Sequence, residues 1–458
     1  MTPRAQHNTE EQGKRMDRTA ERRAIVACLV GNAFEGLDFI VFGMLSFVLG
    51  KLFFPAGDDV ASLMATLATF GVGYVMRPLG GIFWGLYADR HGRKAALVAL
   101  SVLMAIATAV IAVMPGYASI GIAAPVAIVL ARLAQGFSLG GEFATATSML
   151  IEYAPPGRRG LYASWQMVVL VGTVAIGSLG VYLLTQVLGP ADFAAWGWRL
   201  FFIVGVPIGP IAYYIRRRVE ETAEFQQYAA SAAATRPVSA PLREVLSAYP
   251  WEMISGAGIV IAGTSVFYLT FIYVPIYSMR QLHIDVGAVQ ITTLVAAIVC
   301  GVLVLLAGHL SDKIGRRAIL LPAAIVSALV GYPLFANLLA HPGPMSLLLF
   351  QCGVGAVLAF VSGPTPAALS EVYPVQVRST GVGLVYNLIA AIFGGLGPLF
   401  AQWLLGVTGD QAAPAYWMTA TGIVGAIAIW TYKYTRRYRE ERAGGGDTIK
   451  LTPSTLGQ

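Results

Sequence analysis

Charge is scarce in this chain of 458 residues: Asp, Glu, Lys and Arg together make up 12%, against about 25% in an average soluble domain. That shortage excludes water as the solvent for most of the chain, and a hydrophobic content of 56% with a mean hydropathy of +0.67 points to lipid instead. Cysteine is nearly absent. Cys28, Cys300 and Cys352 stand singly in apolar runs, with no paired spacing and no nearby histidines, which excludes a disulfide framework and a metal motif. No Gly-x-x-x-x-Gly-Lys-Ser/Thr loop occurs, so nucleotide-driven chemistry has no phosphate cradle. No grouping of nucleophile, base and orienter marks an enzyme, and no cofactor is implied. Residues 1–23 are polar and lack the short apolar core and cleavage site of a secretory leader, so they read as a cytoplasmic tail. The formal charge of +7 would suit nucleic acid in a soluble protein, but here the basic residues sit in short loops between apolar runs, which argues against a nucleic-acid partner.

What the chain has in abundance is apolar sequence of membrane-crossing length. A spanning helix needs about 20 such residues, and twelve stretches qualify. Six fall near 24–49, 60–88, 95–114, 120–151, 161–187 and 199–215, and six near 252–279, 286–310, 318–338, 345–369, 380–406 and 414–434. The expected organisation is a cytoplasmic tail over 1–23, a six-helix bundle over 24–215, a polar cytoplasmic linker over 216–250, a second bundle over 251–435 and a cytoplasmic tail over 436–458. Of the 31 Lys and Arg residues, only Lys51, Arg199 and Arg280 fall at the outer ends and only Arg77 and Arg132 within helices. The rest crowd the termini and the even-numbered connections, which places both termini in the cytoplasm.

The two halves repeat one another. Gly85-Leu86-Tyr87-Ala88-Asp89-Arg90-His91-Gly92-Arg93-Lys94 returns 223 residues later as Gly308-His309-Leu310-Ser311-Asp312-Lys313-Ile314-Gly315-Arg316-Arg317. Glu152, Tyr153, Pro155, Arg159 and Gly160 return as Glu371, Tyr373, Pro374, Arg378 and Gly381. Two matched pairs at similar spacing argue for duplicated bundles with a site near the midplane between them.

The repeated Gly-x-x-x-Asp-x-x-Gly-Arg-Arg/Lys loop resembles the signature of the major facilitator superfamily, which implies an all-α membrane fold of twelve helices in two pseudo-symmetric six-helix bundles. In this reading Gly85 and Gly308 permit close helix contact, Asp89 and Asp312 accept hydrogen bonds from a neighbouring helix end, and Arg93 and Arg316 pair with Glu152 and Glu371, so that these eight residues gate the cytoplasmic side. The runs Gly31 to Phe39, Arg77-Pro78-Leu79-Gly80-Gly81, Arg132 to Ser138 with Gly140-Gly141-Glu142, and Trp196-Gly197-Trp198-Arg199 are similar to the metabolite:proton symporter family. That resemblance implies alternating-access carriage of a small organic substrate with protons, in the inner membrane, by a monomer.

The buried charges carry the chemistry. At 1.5 Å per residue Glu35 lies about 16 Å into the first helix, and Arg77 is as deep in the second. Arg132 and Glu142 straddle the middle of the fourth. An ionisable group at the bilayer centre costs at least about 2.5 kcal/mol, so Glu35, Asp38, Arg77, Arg132 and Glu142 must face the bundle interior. Three carboxylates oppose two arginines, and the extra one is a natural proton site: Glu35 or Asp38 takes the proton while Arg132 and Arg77 pair alternately with carboxylate and substrate, or the set serves only to tie three helices together. Helices 7–12 hold no such charges. Their supply is neutral, in Thr264, Tyr268, Tyr273, Tyr277, Ser362, Thr365, Tyr386 and Asn387. Tyr268 and Asn387, deepest in their helices, are the preferred substrate contacts there, with Gln166 of helix 5, Arg77 and Arg132 from the other half.

Within the family the citrate and tricarballylate branch looks nearest, on Phe267-Tyr268-Leu269 with Tyr273-Val274-Pro275, on Ala391 to Gly395, and on Thr408-Gly409-Asp410 leading to Pro414-Ala415-Tyr416-Trp417-Met418. The oxoglutarate carriers share part of that pattern, shikimate carriers belong to the same family, and carriers of proline and betaine share the arginines, although the Gly-rich tail after Arg442 shows none of the heptads of an osmosensing coiled coil. A ligand-binding receptor without net transport would not need both gating loops.

Overall fold

The computed structural model describes residues 29, 32–33, 36–55, 58–91, 93–207, 240–373 and 377–431. Every regular element among them is helical, as the hydrocarbon requires, because only a helix satisfies its own backbone N–H and C=O groups without an open edge. The membrane segments are numbered here in chain order. In the first half, α1 is the bent pair Gly36–Met44 and Ser46–Phe53, α2 is Asp59–His91, α3 is Arg93–Val113, α4 is Ala123–Leu139 with Glu142–Glu152, α5 is Arg159–Asp192 with a π turn at Phe193–Gly197, and α6 begins with Arg199–Gly205. In the second half, α7 is Pro250–Arg280, α8 is Val286–Ile314, α9 is Arg316–Ala340, α10 is Pro344–Glu371, α11 is Arg378–Thr408 and α12 is Ala413–Thr431.

Among the described residues nine helices are long and apolar enough to cross a membrane, the bent α1 makes a tenth, and Val98–Val113 within α3 is a shorter apolar helix. The sixth expected span leaves the described residues after 207. Most of the linker over 216–250 also lies outside them, but its end is ordered as the helix Ala240–Ala248, whose Val245 is buried.

Four departures from straight spans matter for the site. Helix α1, expected as one rod over 24–49, continues to Phe53 and turns by 74° at Leu45. The cause is local: the Ser46 hydroxyl donates to the Gly43 carbonyl at 2.7 Å, a back-bond that loosens the helical ladder beside a glycine. Counting 223 residues on from Leu45 reaches Tyr268, where α7 widens into a π turn over Leu269–Tyr273. The repeat seen in the loops therefore extends to an irregularity at one position in the first helix of each half. A further π turn, Ala390–Gly395, interrupts α11 just before Gly397-Pro398, and α10 breaks at Gly363-Pro364.

Glycines set the closest helix crossing. A Cβ on Gly136 of α4 would overlap the Gly73 carbonyl of α2, one on Gly80 would overlap the Phe137 carbonyl, and one on Gly140 would overlap the Arg77 carbonyl. Backbone thus lies on backbone along this seam, the close approach that small residues permit in lipid. The seam brings Arg77 and Arg132 into one region. At the end of the bundle holding the repeated loops, Gly160 of α5 and Gly308 of α8 meet in the same way, with the Gly308 carbonyl 2.6 Å from a Cβ placed on Gly160.

Candidate functional site

Asp38 on α1 is buried, and its carboxylate faces α3 and α4 rather than an arginine. The Thr108 hydroxyl donates to Oδ2, the Gln135 amide donates to the same oxygen at 3.2 Å, and the Gln135 Oε1 accepts from Arg132 Nη1 at 2.8 Å. Among the described residues no ion pair joins Asp38 to Arg132, so the direct carboxylate pairing expected of Arg132 is replaced by a bridge through Gln135. Arg132 is fully buried, with Nε and Nη2 unpartnered. Its guanidinium instead lies 3.6 Å from the Phe39 ring centroid, 4.4 Å from Phe42 and 5.6 Å from Phe70. Aromatic faces carry partial negative charge, so this cage holds the cation without neutralising it.

Arg77 sits one layer away, 4.0 Å over the Tyr74 ring and 5.0 Å from Phe39, with a buried Nε that has no partner. The Tyr74 and Tyr268 hydroxyls are hydrogen-bonded to each other, and this bond joins α2 to α7 across the two halves. Two more contacts cross nearby. Phe143 of α4 stacks on Tyr386 of α11 with centroids 3.3 Å apart, and the Asn387 amide donates to the Gly140 carbonyl at 2.6 Å. The Asn387 Oδ1 is left buried and unpartnered. Tyr268 and Tyr386 also line a cavity of about 20 Å³ between α5, α7, α10 and α11, together with Met167, Phe267, Thr264 and Thr365. A space of that size holds about one water.

The repeated loop of the second half forms a closed clasp. Asp312 accepts from the Gly160 N–H at 2.7 Å and the Leu161 N–H at 2.9 Å, the free donors at the start of α5, and pairs with Arg316 at 2.8 Å. Arg316 also pairs with Glu371 at 2.8 Å and donates to the Ser311 hydroxyl at 2.6 Å. All three side chains of Asp312, Arg316 and Glu371 are buried. Gly315, which turns α8 into α9, has φ of +98°, a conformation that favours glycine. At the opposite end Phe47, beyond the bend of α1, lies between Lys51 at 4.5 Å and Arg280 of α7 at 5.4 Å, a further contact across the halves.

The structure gathers Asp38, Arg77, Arg132, Tyr268 and Asn387 around one region, and Gly308, Asp312, Arg316 and Glu371 at one end. Glu142 is buried, and the Asn32 amide lies 3.2 and 3.3 Å from its two oxygens when its nitrogen faces them. Gln166 stands apart: its Oε1 accepts from Thr147, its Nε2 donates to the Phe143 carbonyl at 3.1 Å, and it does not line the cavity. Glu35 lies outside the described residues, as do the side chains of Asp89, Arg93 and Glu152; Gly85 falls within α2. Sequence reasoning passed over Tyr74, Thr108, Gln135 and Phe143 as site residues. Neutral side chains inside apolar helices leave no pattern, although Gln135 lies in the same run as Arg132, one turn along the helix.

Two discontinuous bundles with unpaired cations and neutral hydrogen-bonding groups at mid-membrane define a secondary transporter and not an enzyme. The sequence profile of the Major Facilitator Superfamily matches residues 24–304 and 256–455. The chain is 34% identical over 416 residues to a citrate-proton symporter of Klebsiella pneumoniae, covering 90% of this chain and 92% of that one. It is 33% identical over 425 residues to the proline/betaine transporter of Escherichia coli (90% and 84%) and 33% identical over 404 residues to its alpha-ketoglutarate permease (88% and 91%). Among solved structures, the partially occluded, inward-open xylose transporter XylE of Escherichia coli superposes with a TM-score of 0.71 at 17% identity, covering 94% of this chain and all of that one. The chain belongs to the major facilitator superfamily, among its metabolite:proton symporters, and is a multi-pass membrane transporter.

Proposed function

We propose that this transporter carries a small organic acid together with protons across the inner membrane by alternating access, with both termini in the cytoplasm, and that its substrate is a di- or tricarboxylate such as citrate or tricarballylate. One observation carries the reading: the buried Arg77 guanidinium, with an unpartnered Nε, stands against the Tyr74 ring beside a cavity edged by Tyr268 and Tyr386. An arginine in that setting binds carboxylate in bidentate fashion, and the tyrosine hydroxyls donate to the remaining oxygens. When the halves part, the Tyr74–Tyr268 bond opens and frees both hydroxyls for substrate. Arg132 and Asn387, each with an unpartnered polar atom, are the further contacts, and Gln166 braces α5 against α4 behind them. Asp38 or Glu35 carries the proton, with Arg132 held nearby and Glu142 supporting α4. The clasp of Asp312, Arg316 and Glu371, and its counterpart of Asp89, Arg93 and Glu152, closes the cytoplasmic side, with Gly308 and Gly85 allowing the helix contact.

A second reading has its own support. Phe267, Tyr268 and Tyr386 line the cavity, and aromatic rings are the groups that recognise a quaternary ammonium, so a zwitterion such as betaine would dock its carboxylate on Arg77 and its cation against those rings. Oxoglutarate and shikimate fit the first reading as alternative acids. Uptake of labelled citrate into proteoliposomes under an imposed pH gradient, with and without a protonophore, separates them. Protonophore-sensitive citrate uptake that is blocked by tricarballylate and lost in Arg77→Lys supports the first reading. Betaine or proline accumulation without citrate uptake overturns it in favour of the second.

A further inference from the structure

Two neutral residues stand where an ion pair was expected, and their hydrogen-bond directions are fixed by their neighbours. Arg132 is a donor only, so the Gln135 oxygen must face it and the Gln135 nitrogen must face Asp38. That nitrogen donates to Asp38 Oδ2 at 3.2 Å and lies 3.0 Å from the Thr108 hydroxyl, which itself donates to Oδ2. Oδ2 is thereby filled by two donors. Oδ1 has no hydrogen bond among the described residues and faces Gly205 of α6, where a Cβ would come within 2.9 Å of it.

We propose that Gln135 and Thr108 are the positioning residues of proton coupling: the Gln135 amide spaces Arg132 from Asp38, and the pair fills Oδ2 so that the proton is taken and released at Oδ1, against Gly205. This rests on the reading of Asp38 as a proton site. The step is a protonation alone, in which a proton from the open aqueous side adds to Oδ1 and later leaves from it, with no other bond changed. Among the described residues, the charged and titratable groups around Asp38 are Arg132 of α4, reached through Gln135, and Arg77 and Tyr74 of α2, which pack on the neighbouring Phe39 ring. Helix α3 contributes the Thr108 hydroxyl, and the described part of α6 meets the carboxyl at Gly205. A direct Arg132–Asp38 pair would hold the carboxylate ionised and resist the proton. The amide spacer keeps the cation near without that contact.

The test is infrared titration of the purified transporter in lipid, which needs no substrate. The carboxylic C=O stretch that appears on acidification and is missing in Asp38→Asn belongs to Asp38. With Oδ1 protonated, Oδ2 is the carbonyl oxygen and carries both donors, so Thr108→Val should move the band to higher wavenumber, Thr108→Ser should restore it, and Gln135→Leu should move it in the same sense as Thr108→Val. A variant acting only on packing would change the melting temperature and leave the band in place. If Asp38→Asn removes a band that Thr108→Val leaves unmoved, the positioning role is wrong and the proton reading stands. If no titrating band depends on Asp38, both fall. Should Gln135→Leu fail to fold, the two Thr108 variants still decide.

Discussion

Replacing Asp312 by alanine removes a carboxylate that ties α8 to the start of α5. Its two acceptor contacts, to the Gly160 N–H at 2.7 Å and the Leu161 N–H at 2.9 Å, cross the halves and are charge-assisted. Hydrogen bonds to a charged group contribute about 1.5–3 kcal/mol each, and the two share one carboxylate, so their joint loss is set at about 3 kcal/mol rather than the full sum. That shifts the balance between closed and open forms about 150-fold. A clasp closed 99% of the time would then leave both forms comparably populated. Arg316 keeps Glu371, so the variant strands no buried charge. Spin labels on Arg158→Cys and Lys313→Cys, both exposed positions flanking the clasp, with the native cysteines replaced, report the opening by electron–electron distance measurement. The expected result is one short distance in the parent and a second, longer population of similar weight in Asp312→Ala. An unchanged distance distribution would refute the reasoning, because it would mean that apolar packing of Gly160 on Gly308 holds the end shut unaided.

Three further outcomes are expected. Gly136→Ala puts a Cβ into the Gly73 carbonyl and should destabilise by about 1–3 kcal/mol, read as a lower melting temperature in detergent; Gly172→Ala, with nothing within 4 Å of its Cβ, should not lower it. Tyr74→Phe and Tyr268→Phe should each weaken the closed form by about 1 kcal/mol, and the double variant should cost less than the two together, since one bond is lost in all three; additive melting shifts would show that the hydroxyls are not coupled. Outside the membrane segments, the Ala412 N–H at 2.8 Å and the Tyr416 hydroxyl at 2.8 Å hold the Asp410 carboxyl below the usual carboxylate range. A lowered folded-state value means that this turn is supported above the ordinary carboxylate value of about 3.9 and loses that support as pH falls through the folded value. Hydrogen exchange at the Ala412 amide should therefore be protected at neutral pH and lose protection in acid, and Asp410→Asn should flatten that response.

Residue order alone determined the spans, the duplication and the paired loops, because each depends on composition or on a repeat that can be read along the chain. Apolar runs must become helices in lipid, and a motif found twice at one spacing implies two copies of one bundle. It also named Asp38, Arg77 and Arg132, since a buried charge is conspicuous in an apolar run and costly enough to need a purpose. Tertiary structure alone decided what those charges touch. Arg132 lies in a ring of phenylalanines rather than on a carboxylate, Asp38 is held by Thr108 and Gln135 from two other helices, and Tyr74 meets Tyr268 across a separation of 194 residues. The 74° turn of α1 and the π turn of α7 were equally hidden, because they arise from how a serine, a glycine and their neighbours satisfy the backbone in place. Periodicity records which face of a helix is apolar. A single threonine or glutamine on that face acquires its role only from the helix packed against it.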